Sequence, residues 1–288
     1  MCVSVLIVTI LSFLLMRLSP IDPATAYVMR TTAIVTDEQI EEARIILGLN
    51  KPLVIQYLNW IKHAISGDLG ISLTTGKPVV NELVKAVPIS LKVVGLSSII
   101  MLIGSIVLGY LQFLIKKKRK LFELIAISLI AMPPFYVGLV YINVFNTKIK
   151  YIPAAICLSL FGIGFYSQMF FKRISQEMKS QHVFFSLSRG ISEKKILIID
   201  ALPAAIIDLI PSFAQMIGIV LVGATVVEKV FSLPGFGHLI IKSVLNRDAP
   251  VIHGSVLVLA VILVVLNFLA EMIQKGFSKD YEKNLDTN

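Results

Sequence analysis

The chain has 288 residues, of which 56% are hydrophobic and only 16% are charged, and its mean hydropathy is +0.83. Soluble domains are about half apolar and about a quarter charged, so the composition argues against an ordinary soluble enzyme, and its apolar content excludes a disordered chain. The net charge of +9 fits cationic loops at an anionic membrane surface. Cys2 and Cys157 form neither a disulfide framework nor a metal knuckle. The composition indicates an integral membrane protein.

Six apolar stretches without charged residues are candidates for membrane-spanning helices, since about 20 apolar residues cross a bilayer as a helix. They are residues 1–16, 93–115, 124–147, 151–171, 209–227 and 249–270. The first stretch is short, and we expect it to continue past Arg17 or to begin upstream of the given start. A cleaved signal peptide is the alternative, with Ala24-Thr25-Ala26 as the cleavage site, but no basic residues precede the apolar segment.

The distribution of lysine and arginine predicts how the chain is oriented. With the amino terminus inside, fourteen of these residues fall in cytosolic segments and five fall in short outer loops, so both termini are predicted to be cytosolic. We predict a multi-pass protein of the plasma or inner membrane, with a first span at 1–18, an extracytoplasmic helical region at 19–88 and a membrane core at 89–288. The spans of the core are predicted at 89–115, 121–147, 151–171, 206–227 and 249–273, with a cytosolic loop at 172–205. The basic run at 116–120 is interpreted as a solvated anchor for the second span rather than a nucleic-acid site.

The predicted extracytoplasmic region carries signals for short helices. Thr36 and Gln39 have the spacing of a capping box, and Gly48 stands where the helix that follows should end. Pro52 can open a second helix at its first position. That helix would present three apolar residues on one side, namely Ile55, Leu58 and Ile61. We expect an outer cap of short helices, which contacts a delivery protein or covers the mouth of a pore.

The loop at 172–205 alternates charged and apolar residues at helical spacing. Gly190 ends one candidate helix, and Ser192-Glu193 opens another that closes at Leu202-Pro203. A short amphipathic helix beneath the bilayer is suited to docking in the groove of a partner protein, or to lying on lipid headgroups. The physics of the sequence leaves both alternatives open.

Gly190, followed twelve positions later by Leu202-Pro203, resembles the cytoplasmic loop of ABC importer permeases, whose EAA-x3-G-x9-I-x-L-P signature forms coupling helices. The chain departs from that signature, because Phe184-Phe185-Ser186 replaces Glu-Ala-Ala and Asp200 replaces Ile. A weak signature of this kind is typical of the oligopeptide, dipeptide and nickel branch of the family.

Other segments of the chain resemble the same branch and follow the same order. They are Asp22-Pro23-Ala24, Leu47-Gly48-Leu49, Pro52-Leu53, Gln56-Tyr57, Trp60, Gly67-Asp68-Leu69-Gly70, Ser72, Lys77-Pro78-Val79, Glu228-x-x-Phe231-x-x-Pro234-Gly235-Phe236-Gly237 and Arg247-Asp248-x-Pro250. The chain looks most similar to nickel-type members. It departs from the family in the loop after the third span, which is shorter, and in Phe277-Ser278-Lys279, which replaces a closing Asp-Pro-Arg.

The resemblance implies an all-α membrane protein with six transmembrane helices, namely a type I ABC importer transmembrane domain with an extracytoplasmic helical insertion after the first span. It implies four partners: a second permease subunit in a heterodimer, two ATP-binding subunits and an extracellular substrate-binding lipoprotein. Membrane lipid surrounds the complex and nucleic acid has no part in it. It places coupling to the ATPase at Ser186, Arg189, Gly190, Glu193, Leu202 and Pro203. An outer-gate motif is implied at Glu228, Phe231, Pro234, Gly235, Gly237, Arg247 and Asp248.

Two kinds of residue are candidates for the pore. Pro133-Pro134 interrupts the third span and predicts a kink, which is either a hinge lining the pore or a static packing feature. Asn143, Gln215 and Asn267 are polar groups in apolar stretches, expected to face the bundle or a cavity. Bonding between helices is the plainer interpretation of these three, and substrate contact is the alternative.

The implied function is that of a pore-forming subunit that imports nickel, free or chelated, or a small peptide-like substrate. The chain is predicted not to be an enzyme and to bind no cofactor, because the nearest approach to a phosphate loop, Gly70 to Lys77, has one residue too many and is followed by Pro78. ATP and Mg would bind to the partner subunits. The four histidines are scattered along the sequence and indicate no metal site. A di- or oligopeptide permease of the same family is an alternative, and an ion-coupled carrier or an intramembrane enzyme would be a rival of another class.

Overall fold

The computed structural model describes residues 2–17, 22–31, 35–145 and 149–286. Regular structure in these ranges is helical, with one isolated antiparallel bridge between Ile71 and Pro78. The helices are α1 (Cys2–Arg17), α2 (Pro23–Thr31), α3 (Asp37–Ile46), α4 (Leu53–Ile65), α5 (Val79–Leu114), α6 (Arg119–Ala131), α7 (Pro134–Phe145), α8 (Tyr151–Glu177), α9 (Gln181–Ser188), α10 (Glu193–Ile196), α11 (Leu202–Val230), α12 (Phe236–Leu245) and α13 (Ala249–Asp286). A 3₁₀ turn at Lys116–Lys118 precedes α6, and a π-helical turn at Leu197–Ala201 joins α10 to α11. Leu18 and Thr147, which end two predicted spans, lie outside the described residues, as do the side chains of Phe277-Ser278-Lys279.

The chain divides into two compact units. Unit 1 comprises Met1–Ile89 with Pro234–Val264, and unit 2 comprises Ser90–Leu233 with Val265–Asn288. The first boundary falls one residue beyond the predicted end of the extracytoplasmic region at position 88. Helices α5 and α13 contribute residues to both units.

Unit 1 is built around two small apolar cores. The larger core collects buried side chains that lie far apart in sequence, namely Leu69, Val79, Leu83, Phe236 and Val251. The smaller core joins α2 to α3 through Ala24, Val28 and Ala43, and an exposed ion pair between Arg44 and Asp22 (2.9 Å) reinforces it. The hydrogen bond and charge of Asp22 raise the pKa of the Arg44 guanidinium, which therefore stays charged.

The local sequence signals between Thr36 and Pro52 correspond closely to helix ends in the structure. The predicted capping box is confirmed: the Thr36 hydroxyl accepts from the Gln39 backbone N–H, and the Gln39 carboxamide oxygen accepts from the Thr36 N–H. Gly48 adopts a φ of +66° just beyond α3, where glycine is the residue of least steric cost. Pro52 differs slightly from the prediction, because it is the residue before α4 rather than its first residue.

Of the three aliphatic residues that α4 presents on one side, only Ile61 is half-buried within the chain. Ile55 and Leu58 are 44% and 57% exposed within the chain. The packed face instead carries aromatic residues, since Tyr57 and Trp60 contact each other at 6.2 Å between ring centroids and Tyr57 lies edge-on to Phe13 at 5.5 Å. Rings of this size contribute more contact area than the aliphatic stripe, so they decide which face is inward.

Unit 2 holds helices α6, α7, α8 and α11, which pack on one another. Glycines let α5 approach α8 closely. A Cβ added at Gly109 would lie 2.6 Å from the Ser167 carbonyl oxygen, and one at Gly104 would lie 2.9 Å from Ile163. At Gly223, in contrast, an added Cβ would meet Leu158 at an ordinary 3.7 Å. The closest approaches occur at Gly162 and Gly164 of α8, where an added Cβ would lie 1.8 Å from the Met101 sulfur and 2.4 Å from the Ala126 carbonyl oxygen. The close-packing role expected for small residues in membrane helices therefore belongs to glycines of both α5 and α8.

Four helices in the described residues are long and apolar enough to cross a membrane, and a bent pair formed by α6 and α7 makes a possible fifth. Helix α1 has only 16 residues. Helix α5 begins at Val79, ten residues before its predicted start, and continues through Pro88. The predicted start of this helix was set where the apolar residues begin. A helix, however, is held by backbone hydrogen bonds that do not require apolar side chains, so it can extend beyond the apolar stretch.

Candidate functional site

The predicted coupling loop folds as two short helices joined by a glycine turn. Helix α9 ends in a Schellman motif, in which Gly190 has a φ of +81°, its N–H donates to the Leu187 carbonyl (2.9 Å), and the Ile191 N–H donates to the Ser186 carbonyl (3.1 Å). Ser192 then precedes α10 in an extended conformation. The loop is thus held by backbone geometry at the glycine that the sequence singled out.

One face of this loop is fixed to unit 2 and the other is open. Val183, Ile196 and Leu197 are buried, at 1%, 1% and 4% exposure. On the open side, Phe184 and Phe185 are 69% and 65% exposed, with their rings in a T-shaped pair at 6.3 Å. Sequence reasoning treated these two rings only as a departure from the family signature. The sequence signal that could have identified them as exposed contact residues is a pair of adjacent phenylalanines inside a polar segment.

The structure distributes the six predicted coupling residues along the loop. Arg189, Gly190 and Glu193 are exposed, whereas Ser186 is half-buried. Leu202 and Pro203 are half-buried at the start of α11, where the π-helical turn at Leu197–Ala201 runs directly into that helix. No single contact cluster joins all six.

A buried aspartate fixes the loop at 72–74 in unit 1. Asp248 is 1% exposed, and its carboxylate accepts three hydrogen bonds: from the Ser72 hydroxyl (2.5 Å), the Leu73 N–H (3.0 Å) and the Thr74 N–H (3.0 Å). Bonds to an ionised acceptor are about twice as strong as neutral ones. Asp248 therefore fixes the 72–74 segment to the turn between α12 and α13, which joins two of the motifs that sequence analysis placed far apart.

The turns that end α11 and α12 are Schellman motifs in which a residue other than glycine takes the left-handed position. These residues are Ser232 (φ +50°) and Arg247 (φ +55°), and in each motif the next N–H donates back to the helix at 2.8 Å. Three other helices of the chain use glycine in this position, at Gly48, Gly67 and Gly190. A non-glycine residue in this conformation costs on the order of 1 kcal/mol.

The remaining residues of the predicted outer-gate motif divide between the two units. In unit 2, Glu228 is fully buried near the end of α11 and accepts a hydrogen bond from the Ser90 hydroxyl. Phe231 is 2% exposed, and a Cβ on Gly138 would lie 2.9 Å from its ring. In unit 1, Gly235 and Gly237 are buried and Pro234 is exposed. In unit 2 the motif residues lie at the C-terminal end of α11, and in unit 1 they lie at the two ends of α12.

The predicted kink in the third span is confirmed. Helix α6 ends at Ala131, α7 begins at Pro134, and the two helices are bent by 89°. Asn143, Gln215 and Asn267 are all exposed on the surface of the chain rather than packed inside it. The Asn143 carboxamide donates to the Leu139 carbonyl of its own helix (2.9 Å).

A cavity of about 350 Å³ in unit 1 gathers residues that looked unrelated in the sequence. His63 and His253 both line it, beside Trp60 and Asp68, and the His253 ring lies 5.6 Å from the Trp60 ring. These two histidines are far apart in the sequence, but the fold brings both of them to one cavity. Within the described residues, however, no group of three His, Cys, Asp or Glu side chains could hold a metal ion.

The helical architecture is that of a membrane-embedded permease of the type I ABC importer fold. The fold resembles a MetNI methionine ABC transporter solved in inward-facing conformations, with a TM-score of 0.60, 15% identity, and coverage of 68% of this chain and 95% of that one. It also resembles an amino acid ABC transporter solved with histidines, with a TM-score of 0.54, 16% identity, and coverage of 69% and 94%.

The chain belongs to the family described as the binding-protein-dependent transport system inner membrane component, which matches residues 100–283. The N-terminal component of such membrane proteins matches residues 1–94. Among its relatives are the nickel import system permease proteins NikB of Staphylococcus aureus, at 30% identity over 283 residues in strain MRSA252 and 31% over 287 residues in strain USA300. Each comparison covers 95% of this chain and 86% of the relative. The chain is therefore a multi-pass membrane protein and an ABC importer permease, a class that works with ATPase and binding-protein partners.

Proposed function

We propose that this chain forms part of the pore of an importer that takes up nickel, free or chelated, after delivery by an extracellular binding protein. The observation that carries this proposal is the similarity to nickel import permeases over 95% of the chain. The chain works as one half of a permease heterodimer with two ATP-binding subunits. It crosses the membrane six times, with both termini in the cytosol and an outer helical region after the first span.

In this proposal ATP hydrolysis is coupled to transport at the coupling loop, which contains α9. The exposed pair Phe184 and Phe185 offers an apolar contact for a groove on an ATP-binding subunit, and the buried Ile196 carries any movement of the loop into unit 2. Closure of the ATPase dimer then biases the spans between inward- and outward-facing states. That bias requires contacts that differ between the two states.

Asn143, Gln215 and Asn267 suit a pore shared with a second subunit. A polar side chain exposed on a membrane helix faces a cavity or a protein neighbour rather than hydrocarbon. Selection of the metal would rest with the binding protein, while this chain supplies a weakly binding polar path. The outer-gate motif, held in unit 1 by the Asp248 carboxylate, would form the rim where the substrate enters.

The test is uptake by the assembled complex in proteoliposomes, built from this chain and the permease, ATPase and lipoprotein products of neighbouring genes. ATP-dependent entry of radioactive nickel is expected, and complexes without the ATP-binding subunits should show none. Uptake of labelled dipeptides instead would favour the peptide permease of the same family. Uptake by this chain without any ATPase would refute the proposal in favour of an ion-coupled carrier.

Coupling through the loop can be tested separately with Gly190→Pro. Proline cannot adopt the φ of +81° found here, and it removes the N–H that caps α9, so we expect uptake to be lost while membrane insertion remains. Gly48→Pro is the matched control, because Gly48 ends α3 in the same kind of turn, with a φ of +66° and an N–H bonded to Ile45, but lies outside the coupling loop. Full uptake and ATPase stimulation in Gly190→Pro would show that the loop does not couple.

A further inference from the structure

Helix α4 has an apolar face that the described part of the chain leaves uncovered. Val54, Leu58 and Ile65 are spaced so that they lie on one side of the helix, and they are 68%, 57% and 82% exposed. We call these three residues the α4 apolar face. A different side of α4 packs within unit 1, through Tyr57 and Trp60. Neither the coupling loop nor the pore candidates account for the uncovered side chains.

Helix α13 provides a scale for the depth of α4 in a membrane. Residues 249–270 contain no Asp, Glu, Lys or Arg, whereas Arg247-Asp248 precede them and Glu271 follows. At 1.5 Å per residue these 22 residues extend over about 33 Å, which matches the roughly 30 Å of the hydrocarbon core of a bilayer. Ala249 therefore marks one boundary of the hydrocarbon core.

Helix α4 and the segment after it contact α13 inside that boundary. The Trp60 ring lies 5.6 Å from the ring of His253, which is about 6 Å beyond Ala249 along α13. A Cβ added to Gly254, about 8 Å beyond Ala249, would lie 3.3 Å from the Leu69 side chain. Both contacts therefore place this part of unit 1 at the depth of the acyl chains rather than above the membrane surface.

Helix α1, the predicted first span, gives the same depth independently. Phe13 lies about 6 Å before the last residue of α1, Arg17, and its ring stacks on His253 at 5.7 Å. The same ring lies edge-on to Tyr57 at 5.5 Å. The Tyr57 hydroxyl is 2.9 Å from the Thr9 hydroxyl, which is about 12 Å from Arg17. The middle of α4 therefore lies roughly 6–12 Å inside the ends of two helices that are predicted to cross the membrane.

The chemistry of the exposed face favours lipid over a protein partner. A surface left open at this depth meets acyl chains, and the α4 apolar face offers them only aliphatic side chains. Exposed Lys62 is also on this helix, and its apolar stem allows the ammonium group to reach the headgroups. Surfaces that bind soluble proteins reversibly are about as polar as the rest of a protein surface. Amphipathic helices at a membrane interface bury their apolar face by about 5–10 Å, which agrees with the depth of α4.

The remaining side of α4 is polar and faces the cavity of unit 1. Gln56, Asn59 and His63 line this cavity. The Gln56 carboxamide donates to the Leu49 carbonyl (3.0 Å) and to the Lys51 carbonyl (2.6 Å), which fixes the polar side toward the preceding loop. The helix thus has an aromatic side against protein, a polar side along a cavity and an apolar side that is open. Such a helix suits the boundary between protein, water and lipid.

We propose that α4 lies in the membrane interface, with Val54, Leu58 and Ile65 inserted among the acyl chains of the bilayer. In the predicted orientation this is the outer leaflet. The helical region after the first span is then anchored in lipid through α4 and does not stand wholly in water. The inference goes beyond the proposed function, because it holds whichever substrate is imported.

The experiment measures how often a nitroxide on α4 collides with oxygen, which concentrates in acyl chains, and with chromium oxalate, which stays in water. The nitroxide is attached to Leu58→Cys and, as the control, to Asn59→Cys, in a chain that also carries Cys2→Ser and Cys157→Ala. The two labelled positions are adjacent and both are exposed, but Asn59 lies on the polar side. The full-length chain is studied in nanodiscs of phosphatidylcholine and phosphatidylglycerol.

We expect the label on Leu58→Cys to collide more often with oxygen than with chromium oxalate, and the label on Asn59→Cys to show the reverse. More frequent collisions with chromium oxalate at both positions would overturn the proposal in favour of a docking face for a soluble partner. A label on Leu58→Cys that neither reagent reaches would overturn it in favour of a contact with protein, such as a second copy of this chain.

The single tryptophan of the chain allows a second measurement that needs no substitution. Trp60 lies on α4, so the emission of the native chain reports the depth of this helix. Emission should fall in vesicles of phosphatidylcholine brominated near the headgroup end of its acyl chains, and it should fall less when the bromine is near the methyl end. Equal emission in brominated and unbrominated vesicles would refute the depth assigned to α4. Neither measurement involves uptake, so both are independent of the importer assay.

Discussion

The exposed phenylalanines of α9 allow a quantitative test of the coupling contact. A phenylalanine side chain buries on the order of 200 Å², and Phe184 and Phe185 are 69% and 65% exposed. Each ring therefore leaves about 130 Å² to be covered by a partner, which at 25 cal/mol per Å² corresponds to about 3 kcal/mol. Phe184→Ser should weaken binding of the ATP-binding subunit by up to roughly a hundredfold, because 1.4 kcal/mol is a factor of ten.

The assay titrates purified ATP-binding subunit onto permease complexes held in lipid nanodiscs, and ATP hydrolysis and uptake are measured on the same samples. Leu245→Ser is the matched control, since Leu245 is 73% exposed on α12 and lies outside the loop. Phe184→Tyr should retain most of the affinity because it keeps the ring. If Phe184→Ser binds the subunit as tightly as the control does, the rings are not the contact and the reasoning from exposed area fails.

Three further predictions follow from packing, hydrogen bonding and charge. Gly109→Ala should reduce the yield of folded protein in fluorescence-detected size exclusion, because its Cβ would meet a backbone oxygen at 2.6 Å. The control Gly95→Ala, whose added Cβ meets nothing within 4 Å, should be neutral or stabilising. Equal yields of the two variants would contradict the close packing of α5 on α8. Asp248→Ala leaves three donors without their acceptor and should lower the stability of the 72–74 segment by about 3–5 kcal/mol. The measurement is the rate of proteolysis at residues 72–77, which should rise. An unchanged rate would show that the Asp248 hydrogen bonds do not hold this segment in place. In cells, a membrane-impermeant thiol reagent should label Lys77→Cys but not Lys118→Cys, and external labelling of the second would reverse the predicted orientation.

Features governed by neighbours in the sequence were predictable from it. The capping box at Thr36, the turn at Gly190 and the break at Pro133 depend on residues within a few positions, and all three occur where the pattern indicated. The order of the motifs along the chain likewise indicated the family. A single sequence therefore suffices to predict local turns and helix ends, and to indicate a family from the order of its motifs.

Features that depend on tertiary packing could not be obtained in that way. His63 and His253 are 190 positions apart, yet they line one cavity. The sequence placed three aliphatic residues on one side of α4, but it could not show that Tyr57 packs against Phe13.

The Asp248 contact has a consequence for how the protein is made. Ser72 and its acceptor are 176 positions apart, and unit 1 combines the first 89 residues with 234–264. A ribosome adding about 5–20 residues per second takes roughly 10–35 s to cover that distance. The donors at 72–74 must wait that long, solvated or held by a chaperone, for the carboxylate that anchors them. The loop at 72–74 is therefore synthesised early but completes its hydrogen bonds only after residue 248 has been made.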